Sequence, residues 1–568
     1  MIRRTSRPAL ALCLLASWIA SSPAWAGRDP APGFAEQSLE LPGVPAAVIS
    51  ADMNGDGRQD LVVLVAYTAW GDSVTTEQAT FDDVEGLVEV MNVVSALIDH
   101  RELRVYLADG EGRYESLAAA LELDASLHVL EAGAAGDALL AVTDDGVAAV
   151  RYEDGADGAT LSLVPLIDVE TSLAGTGAFF ADYSILDRLD GDEIPDLLLP
   201  TAAGWSVFRG RADGFGDQPA HRLPRAAPDE ADSDGENDSD SDSDSDGAGD
   251  RRSRPRPPDR PVVADQNADG RPDLLVLRPG RKPVVYLNLG DLTFSAPIKL
   301  SVPGGEGDDE IVHVGSLDGG RVSSAVRQTE LEPGDEAGFR VAIEHAKQPD
   351  FSYSVYPLDG SLELGCKPRT TFLAEGYTFA GSDDPGDEVD VRLPGGFKDL
   401  DGDGRQDLVA ITLEFSVLPM VMRALVTRRL SLTMDFHPWC QQEDGSFRRV
   451  PGLDLSGKFK INLRNVQVKH LSQFAGDFDG DGRADFVQLG RGKKVTIHHG
   501  RPGCKYPVRP SATIRFDKEP KHLGLVRILD VNADGRSDVY VVHPHKKSRA
   551  GAGESVPVRL DLYLSEGD

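Results

Sequence analysis

The alternation of apolar and polar positions along this chain predicts many short β-strands. Apolar runs recur directly after acidic, glycine-containing loops, as at 61–64, 274–277 and 539–542. A second strand that ends in a Gly/Asp turn follows each run later in the chain, as at 103–110. Short apolar runs bounded by turn residues are typical of buried strands joined by tight connections. The repeating unit is therefore a small antiparallel sheet.

The acidic loops share one nine-residue pattern. It has an acid at the first position, Asp or Asn at the third, Asp at the fifth, Gly at the sixth and Asp at the ninth. The intact copies lie at 52–60, 265–273, 399–407, 477–485 and 530–538. A sixth copy at 188–196 is eroded, because Arg188 stands at the first position and Glu193 at the sixth. Degenerate copies near 133–140 and 315–320 complete a set of eight units.

These loops resemble the FG-GAP/VCBS repeats of integrin α-chain propellers and of many bacterial exported proteins. The resemblance covers nearly all of the chain after its first 26 residues. It implies an all-β fold, a single seven- or eight-bladed β-propeller over residues 34–568. Strands near 37–41 and 559–564 are expected to share one blade, which closes the ring and removes exposed sheet edges. The family includes adhesins, lectin-like modules, enzyme accessory domains and proteins of unknown role, so the ligand stays open.

Calcium is the cofactor that these loops predict, with about five structural sites. Ca²⁺ prefers about six to eight hard oxygens in tolerant geometry. Side-chain oxygens of the first, third, fifth and ninth positions supply them, together with the backbone carbonyl of an arginine at the seventh. The candidate ligands of the intact loops are Asp52, Asn54, Asp56, Arg58 and Asp60; Asp265, Asn267, Asp269, Arg271 and Asp273; Asp399, Asp401, Asp403, Arg405 and Asp407; Asp477, Asp479, Asp481, Arg483 and Asp485; and Asp530, Asn532, Asp534, Arg536 and Asp538.

The eroded loop keeps three candidate ligands, Asp190, Asp192 and Asp196. The cation Arg188 at its first position opposes Ca²⁺, so we expect this loop to be metal-free. For any single loop the alternative is that the aspartates only cap a turn. Five copies of the full pattern argue for the ion. The arginine side chains at the seventh position are expected to face outward.

The N-terminus predicts export. Arg3, Arg4 and Arg7 precede an apolar run over 9–20, and Ala24-Trp25-Ala26 is a small-x-small cleavage site. Residues 1–26 therefore form a predicted signal peptide. A membrane anchor is the alternative, but the run is shorter than the ~20 residues that a spanning helix needs. We expect a secreted, periplasmic or cell-surface protein with no transmembrane segment after cleavage.

The chain is strongly acidic. Its formal charge is −35, and it becomes −38 once residues 1–26 are removed, because they hold three arginines and no acids. Such a surface repels nucleic acid and anionic lipid and attracts cations. The expected partner is an unknown protein or glycan, and the expected state is a monomer.

Cys366, Cys440 and Cys504 remain in the exported chain. They allow one disulfide and one free thiol, and the sequence does not choose the pair.

Three insertions interrupt the repeats. Residues 227–260 are acidic and then basic, and this composition predicts disorder. Apolar residues at helical spacing predict helical insertions at 80–99 and 417–432, which cover either the propeller itself or a partner.

The sequence favours binding over catalysis. GxSxG, HExxH and Walker patterns are absent from it, and no spacing joins His437, His498, His499, His543 or His545 to a nucleophile. The leading hypothesis is a calcium-stabilised, non-catalytic binding, adhesion or scaffold module. The alternative is a propeller hydrolase or polysaccharide lyase with its active site at the central channel. The functional face and the role of the acidic tract stay open.

Overall fold

The structure is a computed structural model. It describes residues 33–68, 98–123, 126–134, 137–156, 158–181, 183–224, 260–276, 282–300, 310–319, 323–331, 339–358, 362, 367–377, 396–414, 429–451, 455–462, 467–469, 472–489, 493–517, 526–544 and 557–566.

Eight antiparallel sheets form an eight-bladed β-propeller. Seven blades are continuous in the chain, and the eighth combines the last three strands with the first strand. The eight sheets decide between the seven and eight blades that the sequence predicted.

The strands of blades 1 to 4 follow chain order across each sheet. Blade 1 contains β2 (Val44–Ala51), β3 (Asp60–Thr68), β4 (Ile98–Ala108) and β5 (Tyr114–Leu123). Blade 2 contains β6 (Val129–Ala134), β7 (Asp137–Thr143), β8 (Gly146–Gly155) and β9 (Gly158–Asp168). Blade 3 contains β10 (Leu186–Asp187), β11 (Asp196–Thr201), β12 (Gly204–Phe208) and β15 (His221–Pro224), with the hairpin β13 (Gly210–Arg211) and β14 (Gly214–Phe215). Blade 4 contains β16 (Val262–Ala264), β17 (Asp273–Val276), β18 (Val284–Tyr286) and β21 (Ile298–Lys299), with the hairpin β19 (Asn288–Gly290) and β20 (Thr293–Phe294).

Blades 5 to 8 repeat this arrangement with additions. Blade 5 contains β22 (Glu310–Ser316), β23 (Ser323–Glu330), the helix α1 (Phe339–Lys347), β24 (Asp350–Pro357) and β25 (Thr370–Glu375). Blade 6 contains β26 (Gly396–Lys398), β27 (Asp407–Glu414), β28 (Arg429–Gln441), β29 (Phe447–Arg449), β30 (Leu455–Asn462) and β31 (Gln467–Lys469). Blade 7 contains β32 (Ser472–Phe474), β33 (Phe486–Leu489), β34 (Lys494–His498) and β35 (Ala512–Arg515). Blade 8 contains β36 (Val526–Leu529), β37 (Asp538–Pro544), β38 (Val558–Ser565) and β1 (Phe34–Leu41).

The core is continuous from blade to blade. The second strand is apolar on both faces in most blades, and Leu61, Val62 and Val63 of β3 are each 0% exposed. The exception is β23 of blade 5, which buries Ser323, Ser324 and Gln328. One buried cluster joins Val129 of blade 2, Leu197 of blade 3 and Leu274 of blade 4. Each blade therefore buries its faces against its two neighbours, which is how a single unit too thin to hold a core becomes stable.

The ring closes through the chain ends, as the sequence predicted. Strand β1 pairs antiparallel with β38, from Phe34 opposite Ser565 to Leu41 opposite Val558. A polar cluster reinforces this pairing: Ser38 Oγ donates to Asp561 Oδ1 at 2.7 Å, and Arg559 Nη2 donates to Asp561 Oδ2 at 2.7 Å. Burial raises the pKa of Asp561, but these donors and His543 outweigh burial and hold its pKa below the usual value.

Most of the three predicted insertions lies outside the described residues, as does the predicted signal peptide. The residues at the ends of the predicted insertions that are described do not have the predicted helical or disordered structure. Ile98 pairs with Thr68 in a strand rather than in a helix, and Arg429 pairs with Asn462 in the same way. Arg260, which ends the predicted disordered segment, donates from Nη2 to Asp187 Oδ2 at 2.5 Å. Within the part of the chain that the structure describes, no helix is long and apolar enough to cross a bilayer.

Candidate metal centres in the blade loops

Each nine-residue loop connects the first and second strands of its blade. The ninth position begins the second strand in five copies, and Asp485 lies one residue before β33 in the sixth. Because every blade runs in the same direction through these strands, the loops all lie at one end of the propeller. The degenerate copies occupy the same connection, between β6 and β7 in blade 2 and between β22 and β23 in blade 5.

The ninth-position aspartate ties its loop to the third strand of the blade. Its Oδ2 accepts the backbone N–H of the second position at 2.8–3.1 Å. Its Oδ1 accepts a second backbone N–H at 2.7–2.9 Å, from a residue at or just after the end of the third strand. These second donors are Ala108, Gly210, Asn288, Gln441, Gly500 and Ser565. The eroded loop keeps both bonds, so this role does not depend on the rest of the pattern.

Burial makes these carboxylates difficult to ionise. All six ninth-position aspartates are 0–1% exposed. Burial raises the pKa of Asp196 and Asp485 to about 6 and of Asp407 and Asp538 to about 7, and it raises the pKa of Asp60 and Asp273 as well. Neighbouring aspartates raise them further. A cation in the loop would reverse this effect by favouring the charged form.

The first-position aspartate organises the turn. In the intact loops its Oδ2 accepts the N–H of the sixth-position glycine at 2.7–3.0 Å. That glycine adopts a left-handed backbone, with φ of +84° at Gly404. L-residues with a Cβ avoid this region, which explains the glycine of the motif. Glu193 stands at this position in the eroded loop, and Arg188 has no carboxylate with which to accept the bond.

Carboxylates converge in two loops. One oxygen from each of Asp399, Asp401 and Asp407 lies within 4.8 Å of the others, and the same holds for Asp477, Asp479 and Asp485.

Asp401 carries an unsatisfied oxygen. The residue is 9% exposed, and its Oδ2 accepts the N–H of Gly503 at 2.6 Å. Its Oδ1 has no hydrogen-bond partner among the described residues. A buried carboxylate oxygen without a partner is costly, and a bound cation removes that cost. The donor set of hard oxygens fits Ca²⁺.

The third position divides the six loops into two kinds. In three loops it is asparagine, whose Nδ2 donates to the fifth-position aspartate at 3.1–3.2 Å. In the other three it is Asp190, Asp401 or Asp479. A second residue differs between the two kinds of loop. It directly precedes the residue whose backbone N–H donates to Oδ1 of the ninth-position aspartate. It is Leu107, Leu287 or Leu564 beside the asparagine loops, and Arg209, Cys440 or His499 beside the aspartate loops.

Two of these neighbours contact the third-position carboxylate directly. Arg209 Nη1 lies 3.6 Å from Asp190 Oδ2, and its Nη2 pairs with Asp291 of the next blade. A guanidinium thus faces the third-position carboxylate of the eroded loop. His499 Nδ1 lies 3.0 Å from Asp479 Oδ2.

The seventh-position arginines are partly exposed but are not free. Arg58 Nη2 lies 2.5 Å from Asp56 Oδ2, and Arg271, Arg405 and Arg483 pair with their fifth-position aspartates in the same way. Arg483 Nε also donates to the carbonyl of Asp401 in the preceding blade at 3.1 Å. The expectation of outward-facing side chains was therefore incomplete, because these arginines brace the loops.

The histidines that the sequence singled out have local partners where they are described. Thr412 Oγ1 lies 2.8 Å from His437 Nε2, and Arg449 Nη2 lies 3.0 Å from its Nδ1. Burial, with Arg449, lowers the pKa of His437 to about 4. His498 Nδ1 lies 2.8 Å from the carbonyl of Pro507, and His543 Nε2 lies 3.2 Å from Asp561. His545 lies outside the described residues.

No protein-family model and no curated protein matches this chain. Among solved structures, the chain is similar to an Agrocybe aegerita lectin that recognises non-reducing terminal N-acetylglucosamine. The two share 16% identity with a TM-score of 0.36, over 74% of this chain and 89% of the lectin. A puromycin hydrolase mutant complexed with PGG shares 11% identity with a TM-score of 0.20, over 64% of this chain and 58% of the hydrolase. Neither likeness bears on what this propeller binds.

Proposed function

We propose that this protein is a calcium-stabilised propeller of the FG-GAP/VCBS type that serves as a non-catalytic binding, adhesion or scaffold module outside the cytoplasm. Its ligand would be a protein or a glycan. The observation that carries the calcium assignment is the buried, unpartnered Oδ1 of Asp401, in a loop where three carboxylates converge.

The ions would act on the contacts between blades. The carbonyl of Leu400 accepts the N–H of Ala484 at 3.1 Å, and the carbonyl of Asp477 accepts the N–H of Ser537 at 2.7 Å. Tyr114 Oη donates to the carbonyl of Val531 at 3.1 Å, across the junction where the ring closes. Because loop backbone is bonded to the next blade, an ion that orders a loop also stabilises the ring. This is a structural role for calcium, and it leaves the ion no part in a reaction.

His437, one of the histidines that the sequence singled out, is poorly suited to act as a general base. A general base works best with a pKa near the working pH. His437, with a pKa lowered to about 4, is a weak base at neutral pH, and it is held between Thr412 and Arg449. A rigid ring whose connecting segments vary in length is a common scaffold for a binding surface.

The proposed location rests on two features. The predicted signal peptide marks export. The structure also contains a disulfide between Cys440 and Cys504, a bond that persists mainly in oxidising compartments. Calcium outside the cytoplasm is abundant enough to fill the weaker sites that are typical of extracellular modules.

Capture of a ligand tests the function. Immobilised residues 27–568 are exposed to envelope extract and to a glycan array, with Ca²⁺ or with EGTA. We expect a ligand that is retained in Ca²⁺ and released in EGTA. Asp399→Asn should weaken retention, and Asp192→Asn in the eroded loop is the matched control that should not. Cleavage of a glycan or peptide by the immobilised protein would contradict the non-catalytic assignment and favour the enzyme alternative.

A further inference from the structure

We infer that the Cys440–Cys504 disulfide is a positioning element for loop 399–407, so that the redox state of this pair sets the calcium affinity of that one loop. The inference rests on the proposed calcium sites.

The disulfide crosses between two adjacent blades. Cys440 lies in β28 of blade 6, and Cys504 lies in the turn after β34 of blade 7, 64 residues later. Both are buried, at 5% and 0% exposed. The structure thereby selects one pair from the three cysteines that the sequence left open.

Each cysteine adjoins a backbone N–H that holds a carboxylate of the loop. Gln441 follows Cys440, and its N–H donates to Asp407 Oδ1 at 2.8 Å. Gly503 precedes Cys504, and its N–H donates to Asp401 Oδ2 at 2.6 Å. The two sulfurs also lie within 4.8 Å of a carboxylate oxygen of Asp401. One covalent bond therefore fixes both donors relative to each other and to the ninth- and third-position carboxylates.

The turn that carries Gly503 holds Cys504 in a costly backbone conformation. Cys504 has a φ of +49°, in the left-handed region that residues with a Cβ enter only at a cost. Arg501 and Lys505 close the turn through two backbone bonds of 2.9 and 3.2 Å. A dithiol reductant would transfer two electrons and two protons to the cysteine pair and leave as its own disulfide. Cys504 could then relax, and the N–H of Gly503 would no longer be fixed against Asp401.

Loop 477–485 is the internal control. It has the same acidic third position and the same converging carboxylates. His499 stands where Cys440 stands in blade 6, and Gly500 N–H holds Asp485 Oδ1 at 2.8 Å. Gly500 lies four residues before Cys504, and Arg483 donates to the carbonyl of Asp401, so the two loops are in contact. The sulfurs converge with Asp401 and not with the carboxylates of loop 477–485, so reduction should affect this loop less than loop 399–407.

The effect on calcium is measured by calorimetric titration of residues 27–568. Oxidised protein is compared with dithiol-reduced protein and with Cys440→Ser/Cys504→Ser. Loss of the groups that orient metal ligands typically weakens metal binding by about 10- to 100-fold. We expect one site to weaken by about that factor. The change should vanish in an Asp399→Asn background and persist in an Asp477→Asn background. Equal weakening in both backgrounds would overturn the inference, because it would mean general destabilisation.

Amide hydrogen exchange in EGTA tests the positioning without calcium. Reduction should speed exchange more at Gln441 and Gly503 than at Gly500. Unchanged protection at Gln441 and Gly503 would overturn the inference even if calcium binds. Faster exchange at both amides in a protein that binds no calcium would instead sustain the positioning role and refute the proposed function.

Discussion

Loops 399–407 and 188–196 share a scaffold and differ in how they handle charge. In both, the ninth-position aspartate accepts two backbone N–H groups, at 3.0 and 2.8 Å for Asp407 and at 3.1 and 2.8 Å for Asp196. The first has Asp399 at its start and an unpartnered oxygen on Asp401. The second has Arg188 at its start, and the guanidinium of Arg209 lies 3.6 Å from Asp190.

The difference separates two functions that one motif combines. The ninth position holds the blade together, and it survives where the rest of the pattern has eroded. In loop 399–407 the carboxylates of the first and third positions need a cation, and we propose that Ca²⁺ supplies it. In loop 188–196 the guanidinium of Arg209 lies beside Asp190 instead. The five intact copies of the sequence pattern keep the expected number of calcium sites at five.

The largest expected effect comes from removing the ninth-position carboxylate. Asp196→Ala and Asp407→Ala each leave two buried N–H groups without an acceptor, at about 1–3 kcal/mol per group. In EGTA, both variants should lose about 2–6 kcal/mol of the free energy of unfolding, measured by urea denaturation. Asp192→Ala, at an exposed position of the same loop, is the control. If Asp196→Ala left the free energy of unfolding unchanged, the ninth-position aspartate would matter only as a metal ligand.

An intermediate effect is expected from converting the eroded loop into an intact one. Arg188→Asp, Glu193→Gly and Arg209→Leu together supply the first acid, the left-handed glycine and an apolar neighbour. At a Ca²⁺ concentration of 100 times Kd, one new site adds about 2.7 kcal/mol. The triple variant should therefore gain more thermal stability from Ca²⁺ than the wild type does. Arg188→Asp alone keeps Arg209 and should gain little. Equal calcium responses in the triple variant and the wild type would refute the comparison.

The smallest expected effect is a difference in pH dependence. Burial raises the pKa of Asp196 to about 6 and of Asp407 to about 7, above the ordinary 3.8. A raised pKa in the folded state contributes stability below about pH 4, and this contribution is lost as the pH rises through the folded value. In EGTA both loops should weaken between pH 4 and 7.

Calcium should abolish this dependence in the intact loops, because a bound cation favours the ionised carboxylate. The part due to Asp196 should persist in Ca²⁺ and disappear in Asp196→Asn. Thermal unfolding from pH 4 to 8, with and without Ca²⁺, measures both parts. An identical pH profile in Ca²⁺ and EGTA would count against metal in loop 399–407.

The sequence predicted the features that arise from contiguous residues. It missed the contacts that residues at the end of each blade's third strand make with the loops. The loops, the strands that follow them and the pairing of β1 with β38 all come from contiguous residues or from the two chain ends. The second donor to the ninth aspartate lies 14 residues away at Gly210 but 48 residues away at Ala108. Insertions between the second and third strands cause this variation, and they hide the equivalence of Arg209, Cys440 and His499. Because the segment between these strands varies in length, the sequence also could not pair Cys440 with Cys504.

Calorimetric titration of calcium-free residues 27–568 with Ca²⁺ tests the central claim most directly. The account predicts about five bound ions, a loss of one ion in Asp399→Asn, and no loss in Asp192→Asn. A protein that binds no calcium, or one that loses an ion with Asp192→Asn, would contradict it.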